Sequence, residues 1–358
     1  MVEKQQLISP DFVIHPGETI LEIIQDRGIS QKELAKRTGF SEKHISTVIN
    51  GKKNISAEFA KKLSFALDVP ASFWLNLQNN YDLEVLSFIE AHNISQIEIE
   101  IGKEVQNAVE IIRNETIEFK NESDLVYNLR HILGVSNLEA IHSLNVPYYR
   151  AQFEYNTSEN IMYTWQYLCE KSVENQTNNP LDIDKLRKSI PKIKKVMHLD
   201  YENHIDELQK ILNECGVLFT VKKHVKKAPI KGLTVKTKKN QVMIAMTIRG
   251  AYVDIFWFTL FHEIAHVINQ DYLKNQEEWK SDNPIEIRAD KFAADALIDP
   301  KLYSDFVREG KFTEGPVLAF AKKADVLPTI VIGRLMNDKH IKWSTNEFYR
   351  SKYNWHQF

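Results

Sequence analysis

The sequence predicts a mainly helical protein in three parts, and three observations predict it. Between Pro16 and Tyr81, short apolar-patterned segments are punctuated by glycines and helix caps at the spacing of a five-helix head, residues 1–85. From Leu86 to about residue 205, apolar residues recur at helical period, which gives a helical middle region, residues 86–205. After Gly216, three short apolar runs precede two longer helical patterns, so residues 206–358 form an α+β domain with a small sheet. Length agrees, since 358 residues exceed one ordinary core.

In the head, Gly28 ends a first helix and Gln31 to Thr38 forms a second. Gly39-Phe40-Ser41 then turns the chain into a third, Glu42 to Asn50, with Ser41 as its N-cap. This is a helix-turn-helix: Ala35 is small where two helices cross, and Ile45 with Val48 or Ile49 faces inward. Glu42, Lys43, His44, Ser46 and Thr47 remain as outward polar positions suited to base edges in a major groove. Between Gln31 and Lys62, eight cations face three acids, a net of +5 in a chain whose formal charge is −2. An ordinary bundle with a solvated lysine surface has the same spacing. The segment Asn50-Gly51-Lys52-Lys53 favours the nucleic-acid reading, because it sets amides and two cations where a phosphate backbone would pass. Since the whole chain is slightly acidic, any such contact is local.

In the middle region the periodic stretches are Val105 to Ile112, Leu125 to Leu133 and Ile161 to Cys169, followed by Ile205 to Leu212. None carries a catalytic constellation. Gly216 ends the last helix, and Val217 to Val221, Leu233 to Val235 and Val242 to Met246 read as strands. Eight lysines from Lys222 to Lys239 have no acid between them. They are expected to guard strand edges against aggregation, with docking of DNA or an acidic segment as the other reading.

The chemistry concentrates after the strands. His262-Glu263-Ile264-Ala265-His266 follows the run Phe256 to Phe261, so two imidazoles one helical turn apart share a face in a rigid, water-poor helix. Two histidines hold zinc weakly, and a third ligand is expected. Metzincin spacing fails, because Asn269 and Tyr272 stand where Gly and His are required, and the inverted H-x-x-E-H order is absent. A second helix opening at Pro284 offers Glu286, 20 positions beyond His266, with Asp290 one turn on to take the N–H of a ligand imidazole. Glu277, Glu278 and Asp282 are the competing acids. The set predicts one zinc ion per chain with an open position for water, which the metal acidifies for attack on a peptide carbonyl. Glu263 is the expected catalytic base. Tyr272, Tyr303, Arg334 and His340 are candidate oxyanion donors.

Two resemblances add to this reading. His15-Pro16-Gly17-Glu18, Ser30-Gln31-Lys32-Glu33-Leu34-Ala35, Ile45 to Lys52 and Phe73 to Asp82 resemble the Cro/C1-type helix-turn-helix of HigA-family antitoxins over roughly the first 85 residues. The resemblance implies that Gln31, Asn50 and Lys52 are phosphate-contacting and that Glu42, Lys43 and Thr47 are base-reading. Glu42 is compatible, since a carboxylate accepts from cytosine N4. Phe256 to His266, Glu286 to Ala294 and Ile330 to Leu335 resemble the ImmA/IrrE metallopeptidases. That family implies a gluzincin-like fold, zinc held by His262, His266 and Glu286, Glu263 as base, and a repressor-type protein substrate. Ala265 and Asp290 replace a frequent Gly and Asn, and Asp299 stands before Pro300 in place of an apolar residue.

The expected function is a DNA-binding regulator with a zinc-dependent endopeptidase domain that cleaves a repressor or antitoxin. The alternative is an antitoxin-type repressor whose zinc domain senses or dimerises with little turnover. Double-stranded operator DNA, a protein substrate and a second copy of the chain are the expected partners. Cys169 and Cys215 lack C-x-x-C partners, and no apolar run is long enough for a membrane or targeting segment, so a cytoplasmic location is expected.

Overall fold

The computed structural model describes residues 13–142, 157–250, 252–273, 284–342 and 351–353. The chain divides into two compact units, Met1–Gln96 with Asn121–Tyr127, and Ile97–Lys120 with Asn128–Phe358.

The first unit opens with α1 (Pro16–Asp26), α2 (Gln31–Thr38), α3 (Glu42–Ile49), α4 (Ala57–Leu67) and α5 (Ala71–His92). Side-chain caps set four of the starts: His15, Ser30, Ser41 and Ser56 each accept a backbone N–H from the first turn, at 2.9 to 3.2 Å. Such caps contribute about 1 kcal/mol each. Gly39 ends α2 with φ +74°, and its N–H returns to the Ala35 carbonyl at 2.9 Å. Ile20, Leu34, Ile45, Val48, Phe59, Leu63 and Trp74 are fully buried and form the core. Gly17 permits the closest approach in it, because a Cβ there would lie 2.2 Å from the Val48 carbonyl oxygen. The last helix runs past the expected boundary at residue 85, since nothing from Leu83 to His92 breaks a helix.

The second unit begins with α6 (Gln96–Arg113), taken from Ile97, and the last turns of α7 (Glu122–Leu133). Glu98, 1% exposed, holds them together. Its carboxylate accepts from Arg130 Nε at 2.7 Å and Nη2 at 2.6 Å, and from the Leu138 amide at 2.8 Å. Then follow α8 (Glu159–Val173), α9 (Ile183–Val196), α10 (His204–Glu214), β1 (Val217–Lys222), β2 (Gly232–Lys236) and β3 (Val242–Thr247). The sheet order is β1-β3-β2; β1 and β3 are parallel with Val217 opposite Val242, and β2 is antiparallel with Gly232 opposite Met246. All six residues of β3 are buried, as a central strand requires. The chain ends in α11 (Val253–Asn269), α12 (Pro284–Leu297), α13 (Pro300–Glu309), α14 (Glu314–Ala324) and α15 (Pro328–Asn337).

The structure moves one boundary and adds detail at three further places. No boundary falls at 205, because Leu186, Ile193, Leu208 and Ile211 share one core with Phe219, Ile244, Trp257 and Phe261. Helix α9 escaped the periodicity reading because it is lysine-rich and carries Pro191 inside; burial of Leu186, Ile193 and Val196 holds it in place. Several lysines of the 222–239 run meet partners brought in from elsewhere in the unit. Lys223 donates to Asn114, Lys227 and Lys239 pair with Glu104 and Glu174, and Lys238 lies over the Tyr167 ring. Asp299, the departure before Pro300, caps α13 by accepting the Leu302 N–H at 2.9 Å. Its oxygen does there what an apolar residue cannot.

Replacing Gly17 with alanine forces a Cβ into backbone and is expected to destabilise the first unit by about 3 kcal/mol. Gly28→Ala meets no atom within 4 Å and carries only the strain of φ +64°, so about 1 kcal/mol is expected. Denaturant unfolding of the two full-length variants ranks them; equal losses would contradict the backbone contact.

Candidate metal centre and helix-turn-helix face

Helix α11 is apolar almost all round, with Phe256, Trp257, Leu260, Phe261, Ile264 and Val267 buried, and that packing fixes the orientation of its polar residues. His262 and His266 lie one turn apart, their Nε2 atoms 2.9 Å from each other. Helix α12 packs against α11 and brings up Glu286, whose Oε2 is 3.1 Å from His262 Nε2 and whose Oε1 is 3.6 Å from His266 Nε2. The outer ring nitrogens are held from behind. His262 Nδ1 donates to Asp290 Oδ1 at 2.8 Å, and His266 Nδ1 donates to Asp271 Oδ2 at 3.2 Å. Asp271, fully buried, also accepts from Arg288 Nη2 at 2.6 Å.

With Nδ1 committed as donor on each ring, both Nε2 atoms face Glu286. Ligand atoms of these three residues all lie within 4.8 Å of one another. A tetrahedral zinc ion with bonds near 2.0–2.1 Å sets neighbouring ligand atoms roughly 3.3 Å apart, so 2.9, 3.1 and 3.6 Å leave room for one ion after small shifts. Glu286 Oε1 is moreover a buried oxygen with no hydrogen-bond partner. The donor set therefore fits zinc. Burial opposes charging of His262, but Asp290, Glu286 and Glu263 outweigh it and raise the imidazole to about 10. A cation bound at Nε2 replaces that proton.

Glu263 is 6% exposed, and the structure places it against β2. Its Oε2 accepts from Thr234 Oγ1 at 2.6 Å, while a Cβ at Gly232 would stand 2.6 Å from its Oε1. Thr234, Asp271, Arg288 and Gly232 were not singled out from sequence. Thr234 and Gly232 lie on a strand some thirty residues upstream with no local signal, whereas Asp271, just past the end of the histidine helix, was the legible one. Of the other acids considered for the third position, Glu277, Glu278 and Asp282 lie outside the described residues. Among the candidate oxyanion donors, Tyr272 is buried in the apolar core. Tyr303, Arg334 and His340 form a separate group, with the guanidinium 4.7 Å over the Tyr303 ring and Arg334 Nε 2.7 Å from Asp338.

In the head, Glu42, Lys43, Asn50 and Lys52 are exposed, and Gln31, Ser46 and Thr47 are partly so. Thr47 Oγ1 donates to the His44 carbonyl at 2.8 Å, and Asn50 Nδ2 to the Ser46 carbonyl at 2.7 Å, which fixes both side chains on one face. His44 departs from the outward reading. It stacks on Phe40 at 4.4 Å and meets Phe59 edge-on at 5.0 Å, so its half-buried ring lies against two phenylalanines. Burial, then the neighbouring Lys53, keeps it below the ordinary histidine range. The closing segment also proves structural: Trp74 is fully buried, and buried Gln78 accepts the Ile55 amide at 2.8 Å while donating to Asp82 at 2.9 Å. It pins the loop that carries Lys52 and Lys53.

A helix-turn-helix family model (HTH_3) matches residues 20–74. Virulence-associated protein I of Dichelobacter nodosus is 34% identical over 73 residues, 20% of this chain and 68% of that protein. The amino-terminal part of the chain belongs to the helix-turn-helix family. This helix-turn-helix segment is also 43% identical over 70 residues to virulence-associated protein A' of the same organism, which covers 19% of this chain and 61% of that protein. To antitoxin HigA-1 of Vibrio cholerae it is 38% identical over 68 residues, 19% of this chain and 64% of that protein. The chain thus spans 61% to 68% of the length of these three relatives.

Asp271→Ala, which frees the His266 ring and leaves Arg288 unpaired, is expected to lower zinc affinity about 10- to 100-fold in competition with a chelating dye. Zinc uptake near pH 7.5 is expected to release about one proton from His262. Titration calorimetry in buffers of different ionisation enthalpy counts it, and zero release would contradict the protonated metal-free imidazole.

Proposed function

We propose that the chain is a DNA-binding regulator whose second unit is a zinc-dependent endopeptidase acting on a regulatory protein. The observation that carries the peptidase reading is a carboxylate, Glu263, fixed by Thr234 beside two imidazoles and a second carboxylate, Glu286, whose donor atoms converge. A purely structural site has no use for that carboxylate. His262, His266 and Glu286 would hold the metal, with Asp290 and Asp271 keeping each histidine in the tautomer that offers Nε2. Bound there, zinc would supply an acidified water and a Lewis acid toward a peptide carbonyl. Glu263 accepts a proton on Oε1, since its Oε2 already takes the Thr234 hydroxyl, and delivers it to the leaving amine. The nearly complete burial of α11 keeps bulk water from competing.

For the head, the helix-turn-helix family and the exposed Lys43 and Lys52 support recognition of duplex DNA, with Gln31, Asn50 and Lys52 toward phosphates and Glu42, Lys43, Ser46 and Thr47 toward bases. One such motif buries little surface, so a dimer on a two-fold symmetric operator is the proposed binding form. The likeness to antitoxin HigA-1 favours a second reading, a repressor of antitoxin type whose metal centre senses or dimerises with little turnover.

Glu263→Gln separates the two readings. It is expected to retain zinc and to lower cleavage of proteins encoded by adjacent genes by at least about a hundredfold; a wild-type chain that binds zinc and cleaves none of them favours the repressor reading. In electrophoretic shifts with the full chain, Lys52→Ala is expected to weaken binding to all sequences and lower the salt slope by about one. Lys43→Ala and Thr47→Ala are expected to alter sequence preference by about 1–3 kcal/mol per base position. Absence of duplex binding at low salt would make the head a protein-docking module.

A further inference from the structure

Beside the candidate metal centre lies a cavity of about 230 Å³. Ile255, Phe258 and Thr259 line it from α11, and these precede His262 by seven, four and three positions, so they share its face. Ala294 and Leu297 line it from α12, eight and eleven positions beyond Glu286 and again on the face of that ligand. Measured along the helices, the lining therefore starts about one turn, roughly 5 Å, from His262 on α11 and about two turns, roughly 12 Å, from Glu286 on α12, in the groove between the two. Helix α15 closes it. Gly333 makes that possible, because a Cβ there would lie 2.4 Å from Asp254 Oδ2 in the first turn of α11.

The lining decides what fits. Its walls are the half-exposed Ile255 and Phe258 and the buried Leu297, Ile298 and Ile330. Two cations reach it, Lys231 and Arg334, and two carboxylates offset them, Asp254 in the lining and Asp338 bonded to Arg334. No net charge is left to reward an ionised side chain, whereas exposed apolar wall gains from being covered. A dry apolar cavity of about 150 Å³ already takes a benzene ring.

We infer that this cavity is the specificity pocket of the second unit and takes a leucine- or phenylalanine-sized apolar side chain from the residue next to the bond that is cut. This rests on the peptidase reading proposed above. The test uses the zinc-loaded full chain and three succinyl hydroxamates differing only in one side chain, hydrogen, isobutyl or benzyl, with affinity measured by titration calorimetry. The isobutyl and benzyl compounds are expected to bind at least about tenfold tighter than the unsubstituted one. Ala294→Phe, which fills the cavity, is expected to erase that preference while leaving zinc content and the affinity of the unsubstituted compound unchanged. Ile255→Ala, which widens it, is expected to shift preference toward benzyl, and serves where the filled variant does not fold. Equal affinity of all three compounds for the wild-type chain, or a preference untouched by both substitutions, overturns the pocket and leaves the metal reading standing. Failure of zinc, or of every hydroxamate, to bind overturns the metal reading and the pocket with it.

Discussion

The second unit depends on the contact between α11 and α12, because every donor atom of the candidate metal centre is placed by it. Helix α11 is too apolar to lie anywhere but in a core, and its burial leaves His262, Glu263 and His266 no freedom to choose other partners. Helix α12 enters that core through Ile285, Ala289, Ala293 and Leu297, spaced so that Glu286 and Asp290 must point back along α11. Bringing four acids, Glu263, Asp271, Glu286 and Asp290, near the half-buried His262 and the buried His266 without a cation is electrostatically costly. The metal-free protein meets that cost by protonating His262, which is why its affinity for the proton lies far above an ordinary histidine's. The same excess of negative potential favours a divalent cation, and hydrophobic packing, being blind to charge, supplies the rigidity that keeps the donors converged.

Much of this was legible in the sequence, and what was not has a physical reason. The i, i+4 histidines and the proline-led helix bearing Glu286 follow from local periodicity, and the head follows from its caps and its Gly39 turn. Local signals failed where a tertiary contact decides. Thr234 is an ordinary strand threonine until the sheet order brings β2 beside α11. The lysine run looked unpaired because its acids, Glu104 and Glu174, come from helices far away in sequence. His44 reads as a base-reading side chain because a polar type on an outer helix position is the default expectation, yet two phenylalanines hold its half-buried ring between them. Helix α9 shows the same override, with a proline and many lysines outvoted by three buried apolar residues.

The segment from Phe73 to Asp82 does its work inside the head and not on its exposed polar face. Trp74 fills the core, and Gln78 ties α5 to the Ile55 amide and to Asp82, with Asn54 also donating to Asp82 at 3.3 Å. A buried glutamine in this position needs all its partners, so it specifies one loop conformation where an apolar residue would specify none. The consequence is that Asn50, Lys52 and Lys53 reach solvent from a backbone that is fixed at both ends. Preorganised cations lose less entropy on meeting phosphate than cations on a free loop.

Charge distribution completes the physical picture. The segment from Gln31 to Lys62 carries +5 while the whole chain carries −2, so the remainder carries −7. Under the proposed DNA-binding reading, that stretch is the one a phosphate backbone would be drawn to. The lysines of the 222–239 run do not undo this, because those with partners are neutralised within their own unit. A protein of nearly zero net charge can in this way concentrate cations in one unit, on the stretch from Gln31 to Lys62, and carboxylates in the other, around His262 and His266.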